Sequence, residues 1–171
     1  MGKITIRSLR EGENDYSGCW GVRELDLDLE DISLVGEVSL QGVVTKVIPR
    51  LLFHGTLSFG IEYECARCLK KGKRDFRASI RWAFEQREEL KPGWEIATDV
   101  RYIRSSDPEL DLLPEIRETV LFVLPTVLLC REDCPGLCPR CGWDLSEGPC
   151  DCPTMDKDSP WGVLKSSKSI E

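Results

Sequence analysis

The stretch CREDCPGLCPRCGWDLSEGPCDC, residues 130–152, decides how the rest of the chain is read. It places six thiols, Cys130, Cys134, Cys138, Cys141, Cys150 and Cys152, within 23 residues. Pro135, Gly136, Pro139, Gly142, Gly148 and Pro149 break any helical or strand period, so the segment has no apolar face of its own to bury. Thiols this dense among turn formers read as metal ligands, and Cys138-Pro-Arg-Cys141-Gly142 has the form of a zinc knuckle.

The same two-residue spacing recurs far upstream in Cys65-Ala-Arg-Cys68. Apart from Cys19, read as an ordinary semi-buried residue, the cysteines form four pairs: Cys65 with Cys68, Cys130 with Cys134, Cys138 with Cys141, and Cys150 with Cys152. Four thiolate pairs suffice for two closed tetrahedral zinc sites. The preferred partition joins Cys138, Cys141, Cys150 and Cys152 into a short ribbon and leaves Cys130 and Cys134 to Cys65 and Cys68. A crossed arrangement, or a compact two-zinc cluster sharing the last six thiols, stays open. One or two structural Zn2+ ions are expected, because a closed four-thiolate site leaves no position for water or substrate.

At 171 residues the chain can bury one good core with a small satellite. The opening MGKITIRSLREGEN lacks the apolar core of a secretory signal, and the longest apolar run, Val120 to Cys130, is too short and too interrupted to span a bilayer. The expectation is a soluble, cytoplasmic protein in a reducing setting, where nine clustered cysteines serve metal rather than disulfides. The formal charge of −7 disfavours indiscriminate attraction to nucleic acid. Locally the sign reverses: between residues 67 and 81 stand Arg67, Lys70, Lys71, Lys73, Arg74, Arg77 and Arg81 against the single acid Asp75.

Period-two alternation predicts strands at Ile4 and Ile6, over 24–30 with Leu25, Leu27 and Leu29 on one face, and from Val38 toward Val47. Two longer strands follow. Leu57, Phe59, Ile61, Tyr63 and Cys65 share one face, as do Phe76, Ala78, Ile80, Trp82 and Phe84, and their short connection over 66–73 predicts an antiparallel hairpin with the first thiol pair at its tip. Residues 87–107 read as loop with a short strand at Val100 to Ile103. Asp111 can cap a helix in which Leu113, Ile116, Val120 and Val123 recur at helical spacing, with its second half buried nearly all round and Pro125 ending it. Ser159-Pro160-Trp161 reads as a second, short helix start.

Catalytic constellations are missing. His54 is the one histidine, no phosphate-cradling glycine loop appears, and Glu62 with Glu64 reads as the wet face of a strand. The basic run is the remaining functional feature, suited to a phosphate backbone by charge rather than base reading, or else a solvated sheet edge protected by its lysines. Two rival readings are a thiol-disulfide redox protein using Cys65 and Cys68, and a protein adaptor without nucleic-acid contact.

Glu64-Cys65-Ala-Arg67-Cys68-Leu69, a helix closing in Leu124-Pro125, the thiols from Cys130 to Cys152 with Gly136-Leu137-Cys138-Pro139-x-Cys141-Gly142, and Asp158-Ser-Pro160-Trp161 together resemble the YceD family, over roughly residues 35–165. The resemblance implies a bacterial or organellar protein linked to accumulation of large-subunit ribosomal RNA, with no established enzymatic activity. Carried over on the motif are Cys65, Arg67, Cys68 and the tail cysteines. The expected architecture is α+β: a mainly antiparallel sheet or partly open barrel over residues 1–129 with one principal helix at about 111–124, then a cysteine-rich zinc-ribbon-like tail over 130–171 with a short C-terminal helix. The expected function is that of a non-enzymatic ribosome-biogenesis factor. It binds large-subunit rRNA or a ribosomal protein through the basic hairpin, with no membrane and no small-molecule substrate.

Overall fold

A computed structural model describes residues 2–27, 32–89 and 100–152. Among these residues seven strands and two α-helices follow in order, with one 3-10 turn (Ile6–Ser8) after the first strand: β1 (Lys3–Thr5), β2 (Gly12–Gly21), α1 (Val22–Leu25), β3 (Ile32–Val47), β4 (Arg50–Glu64), β5 (Lys71–Arg87), β6 (Val100–Arg104), β7 (Glu109–Asp111) and α2 (Leu113–Val123). Strands β2 to β6 form one open sheet in chain order, antiparallel except for the parallel β5–β6 pair, while β1 and β7 pair separately. The sheet does not close into a barrel.

Alternation in the three long strands makes this architecture. Leu34, Val38, Leu40 and Val44 of β3, Leu51, Phe53, Leu57, Phe59, Ile61 and Tyr63 of β4, and Ile80 and Phe84 of β5 are buried on one face. The opposite face carries Lys, Arg, Glu, Ser and Thr and stays wet. The register brings Gly42 opposite Gly55, and a Cβ on either would strike the backbone of the other strand, so these two glycines permit a close approach that a side chain would forbid. Helix α2 lies over the buried face with Ile116 and Val120 fully inside. Arg101 of β6 is ion-paired to Glu115 at 2.6 Å and also to Glu118, which fastens the helix to the sheet edge.

The structure corrects three expectations and adds one strand, β2, not foreseen from the sequence. Residues 22–25 form a helical turn, closed by Asp26 in the left-handed region at φ 47°, where a strand over 24–30 was expected; residues 28–31 lie outside the described ones. The Arg117 guanidinium of α2 donates to the carbonyls of Leu25 and Glu24, so a distant residue satisfies this turn and overrides its alternating pattern. Strand β2 carries apolar residues on its inner face only at Tyr16 and Trp20, too few for the alternation to be visible from sequence. Asp111 accepts from the Leu113 amide (3.0 Å), but the residue at the helix cap is Leu112. The second half of α2 is not buried all round: Phe122 is 81% exposed and Leu121 50%. The helix start expected at Ser159-Pro160-Trp161 lies outside the described residues.

Candidate metal centres

The β4–β5 hairpin ends in a tight tip, Cys65 to Lys70, held by the Cys65 amide donating to the Lys70 carbonyl and the Leu69 amide to the Cys65 carbonyl, both at 2.9 Å. Closing this turn puts Leu69 at φ 58°, a conformation that costs a branched residue about 1–2 kcal/mol. Both thiols thereby point inward, with Cys65 fully buried and Cys68 nearly so. After α2 the chain returns along this tip. The Ala66 amide donates to the Leu128 carbonyl (2.9 Å) and the Tyr63 hydroxyl to the Leu129 carbonyl (3.1 Å), delivering Cys130 and Cys134 to the same place.

The sulfurs of Cys65, Cys68, Cys130 and Cys134 all lie within 4.8 Å of one another, and so do those of Cys138, Cys141, Cys150 and Cys152. This is the partition preferred from sequence. In the first tetrad the Cys65–Cys134 and Cys68–Cys130 sulfur separations are 3.9 and 3.7 Å. A tetrahedron with metal–sulfur bonds of about 2.3 Å has edges of about 3.8 Å, so this cradle has the size a zinc-like ion requires. The second tetrad is built within one loop, where the Gly142 amide donates to the Cys138 carbonyl (2.9 Å) and the Cys138 amide to the Trp143 carbonyl (2.8 Å), Gly142 itself standing at φ 73°.

In each tetrad one thiol is depressed while another is raised. Burial pushes the Cys65 thiol up, but the backbone amides of Cys68, Cys130 and Arg67 outweigh it and hold the thiol at about 6. Backbone amides of Cys141 and Arg140 likewise bring Cys138 down to about 6. Cys130, hydrogen-bonded to Cys134 and desolvated, is pushed up to about 12, as is Cys152 beside Cys141. Crowded sulfurs therefore resist a second negative charge, and a divalent cation is what allows all four to ionise together.

The seven basic residues separate into two groups. Arg67 donates from Nη1 to the Cys134 carbonyl at 2.8 Å and the Glu132 carbonyl at 3.4 Å, so it braces the first tetrad. Arg74 projects to the buried face, donating to the Leu129 carbonyl (2.9 Å) with its guanidinium 5.5 Å from the Tyr63 ring centre. Lys70 is ion-paired to Asp144 at 2.5 Å and Glu147 at 3.8 Å. Hydrogen bonding to Lys70 holds the Asp144 carboxyl well below its ordinary range, and the same contact raises Lys70. Lys71, Lys73, Arg77 and Arg81 remain exposed on the outer face of β5. Their cross-strand neighbours are Glu64, Glu62, Ser58 and His54 respectively. The bracing role of Arg67 and Arg74 was not legible in the sequence, since both contacts cross more than fifty positions.

The arrangement defines a class: an open β-sheet protein whose hairpin tip and C-terminal ribbon carry two four-cysteine cradles. Residues 53–166 match the family model described as large ribosomal RNA subunit accumulation protein YceD, and the chain belongs to the YceD family. It is similar to an uncharacterized protein of Mycobacterium tuberculosis, 32% identical over 106 residues, covering 62% of this chain and 50% of that one. An uncharacterized protein of Mycobacterium leprae is 28% identical over 137 residues, 80% of this chain and 61% of that one. The chloroplastic large ribosomal RNA subunit accumulation protein YCED homolog 1 of Arabidopsis thaliana is 34% identical over 56 residues, 33% of this chain and 17% of that one. The matches to the mycobacterial proteins thus span half to three-fifths of their length. No solved structure matches. Among the described residues, no helix is long and apolar enough to cross a membrane.

Proposed function

We propose that this protein is a non-enzymatic ribosome-biogenesis factor that supports accumulation of large-subunit rRNA, with a structural zinc ion in each tetrad. The observation that carries the reading is the family match over residues 53–166, which takes in the hairpin and both tetrads. The name of the Arabidopsis relative points to the same role. Four thiolates around one ion leave no coordination position for a substrate, which favours structural metal over catalysis. Cys65 is fully buried, and this disfavours attack on an external disulfide.

The contact to rRNA is the outer-face row Lys71, Lys73, Arg77 and Arg81. Lys71 and Lys73 stand about 6.6–6.8 Å apart along the strand, while Arg77 and Arg81 are separated by about twice that and Asp75 interrupts the row, so it meets a phosphate backbone at a few spaced points. Glu64 and Glu62 beside the two lysines weaken that end, so Arg77 and Arg81 carry most of the attraction. Association with precursor large-subunit particles tests this. Changing Arg77 and Arg81 to Glu reduces recovered rRNA more than changing Lys71 and Lys73, and both losses are largest at low salt and shrink as salt rises. Undiminished recovery with all four changed rejects this face as the contact.

A further inference from the structure

The two cradles differ in how they are shielded. In the first, Cys65, Cys68 and Cys134 are buried and only Cys130 is exposed. In the second, only Cys138 is buried; Cys141 is exposed and Cys150 and Cys152 are half-buried. They also differ in what encloses them. The first joins the β4–β5 hairpin to the segment after α2, packed with Leu129 and Leu137, whereas the second closes a loop on itself.

That loop carries the partners of Lys70. Asp144 is aimed by its own turn, accepting from the Ser146 amide at 2.8 Å and the Ser146 hydroxyl at 2.6 Å. The ribbon bearing it is set by the Leu145 amide donating to the Gly136 carbonyl (3.0 Å) and by a bridge between Leu137 and Asp144. It meets the hairpin where the Leu137 amide donates to the Arg67 carbonyl at 3.1 Å. Lys70 keeps about half its side chain in water, and such an ion pair contributes little to holding the ribbon. Beyond these few backbone contacts the ribbon is closed by its own cradle, and the ion pair depends on the ribbon.

We propose that the second tetrad is an exchangeable zinc site whose occupancy latches the ribbon over the hairpin tip. Filled, it places Asp144 and Glu147 on Lys70; emptied, it releases Lys70 to join Lys71 and Lys73 as a basic tip, while the first tetrad keeps its ion. This rests on the zinc reading of the tetrads given above.

The test uses the full chain loaded with zinc and challenged with excess chelator. Release is followed with a chromogenic zinc dye, and aliquots are pulse-labelled with an amine-acetylating reagent and mapped by mass spectrometry. The expected result is two phases whose rates differ by about tenfold or more, the fast one missing in Cys141→Ser. Lys70 acetylation rises several-fold with the fast phase, reaching the level of Asp144→Asn, while Lys71 and Lys73 do not change. Release in one phase, earlier loss from the first tetrad, or unchanged Lys70 labelling overturns the proposal. A chain that never retains zinc overturns the reading beneath it instead.

Discussion

Replacing Cys130 by Ser isolates what the first cradle does for stability. Cys130 is the exposed member, so exchanging its sulfur for oxygen leaves no cavity and buries no new hydroxyl, as it would at Cys65 or Cys134. What it removes is the tie between positions 62 apart in sequence whose sulfurs lie 3.7 Å apart. Treated as a cross-link on the unfolded chain, a loop of that length corresponds to about 4 kcal/mol at 25 °C. For a chain of this size that lowers Tm by about 8–16 °C. The assay is thermal unfolding of zinc-loaded protein followed by near-ultraviolet circular dichroism, with metal content measured on the same sample. The companion Cys141→Ser loses an ion from a loop that holds none of the sheet core, and its sheet unfolds close to the parent Tm. A Cys130→Ser protein that lacks one ion yet melts within about 2 °C of the parent refutes the cross-link argument.

Four further outcomes follow from the same geometry. Arg67→Ala removes two carbonyl contacts beside the first tetrad and lowers stability by about 1–2 kcal/mol in urea titration, with earlier zinc release on chelation. Leu69→Gly relieves the left-handed residue at the tip and stabilises by about 0.5–1 kcal/mol in the same titration, after glycine's own entropic cost. Ile116→Ala costs about 2–4 kcal/mol because that side chain is fully buried, whereas Phe122→Ser stays within about 0.5 kcal/mol of the parent. In the metal-free chain the depressed thiols of Cys65 and Cys138 contribute stability that is full above the ordinary thiol value of 9.0 and lost as pH falls through about 6. Tm of chelated protein therefore rises from pH 6 to 9, then declines toward pH 12 as the raised thiols of Cys130 and Cys152 are forced to ionise.

Much of the site was legible because its local chemistry leaves few solutions. A strand alternating from Leu57 to Cys65, a returning one from Phe76 to Phe84 and a connection of a few residues fix a hairpin, and a Cys-x-x-Cys in that connection must sit at its tip. The short spacer between Cys141 and Cys150 favours closure on itself. Long-range satisfaction was not legible. Helix α1 exists because Arg117 reaches its carbonyls, and β2 because an edge strand needs apolar residues on one face only, here Tyr16 and Trp20. Phe122 reads as core by composition, yet the face of α2 that meets the sheet is filled by Ile116 and Val120, which leaves Phe122 outward. The basic run was overcounted for the same reason: sequence shows seven cations, but not that Arg67, Lys70 and Arg74 are occupied within the fold.

With Arg67, Lys70 and Arg74 occupied, the field that a partner meets is different. A cradle of four thiolates around a divalent ion carries roughly −2, so filling both takes the formal charge from −7 to roughly −11. Such a molecule repels a polyanion at long range, and only a face whose local sign differs, within a Debye length of about 8 Å, attracts one. Arg77 and Arg81, beside Ser58 and His54 rather than glutamates, meet that condition better than the lysines nearer the tip. The acidic ribbon against Lys70 pushes the tip further toward neutrality. On the proposed reading, binding through β5 is thus local, shallow and salt-dependent, and it strengthens wherever the ribbon lets Lys70 go.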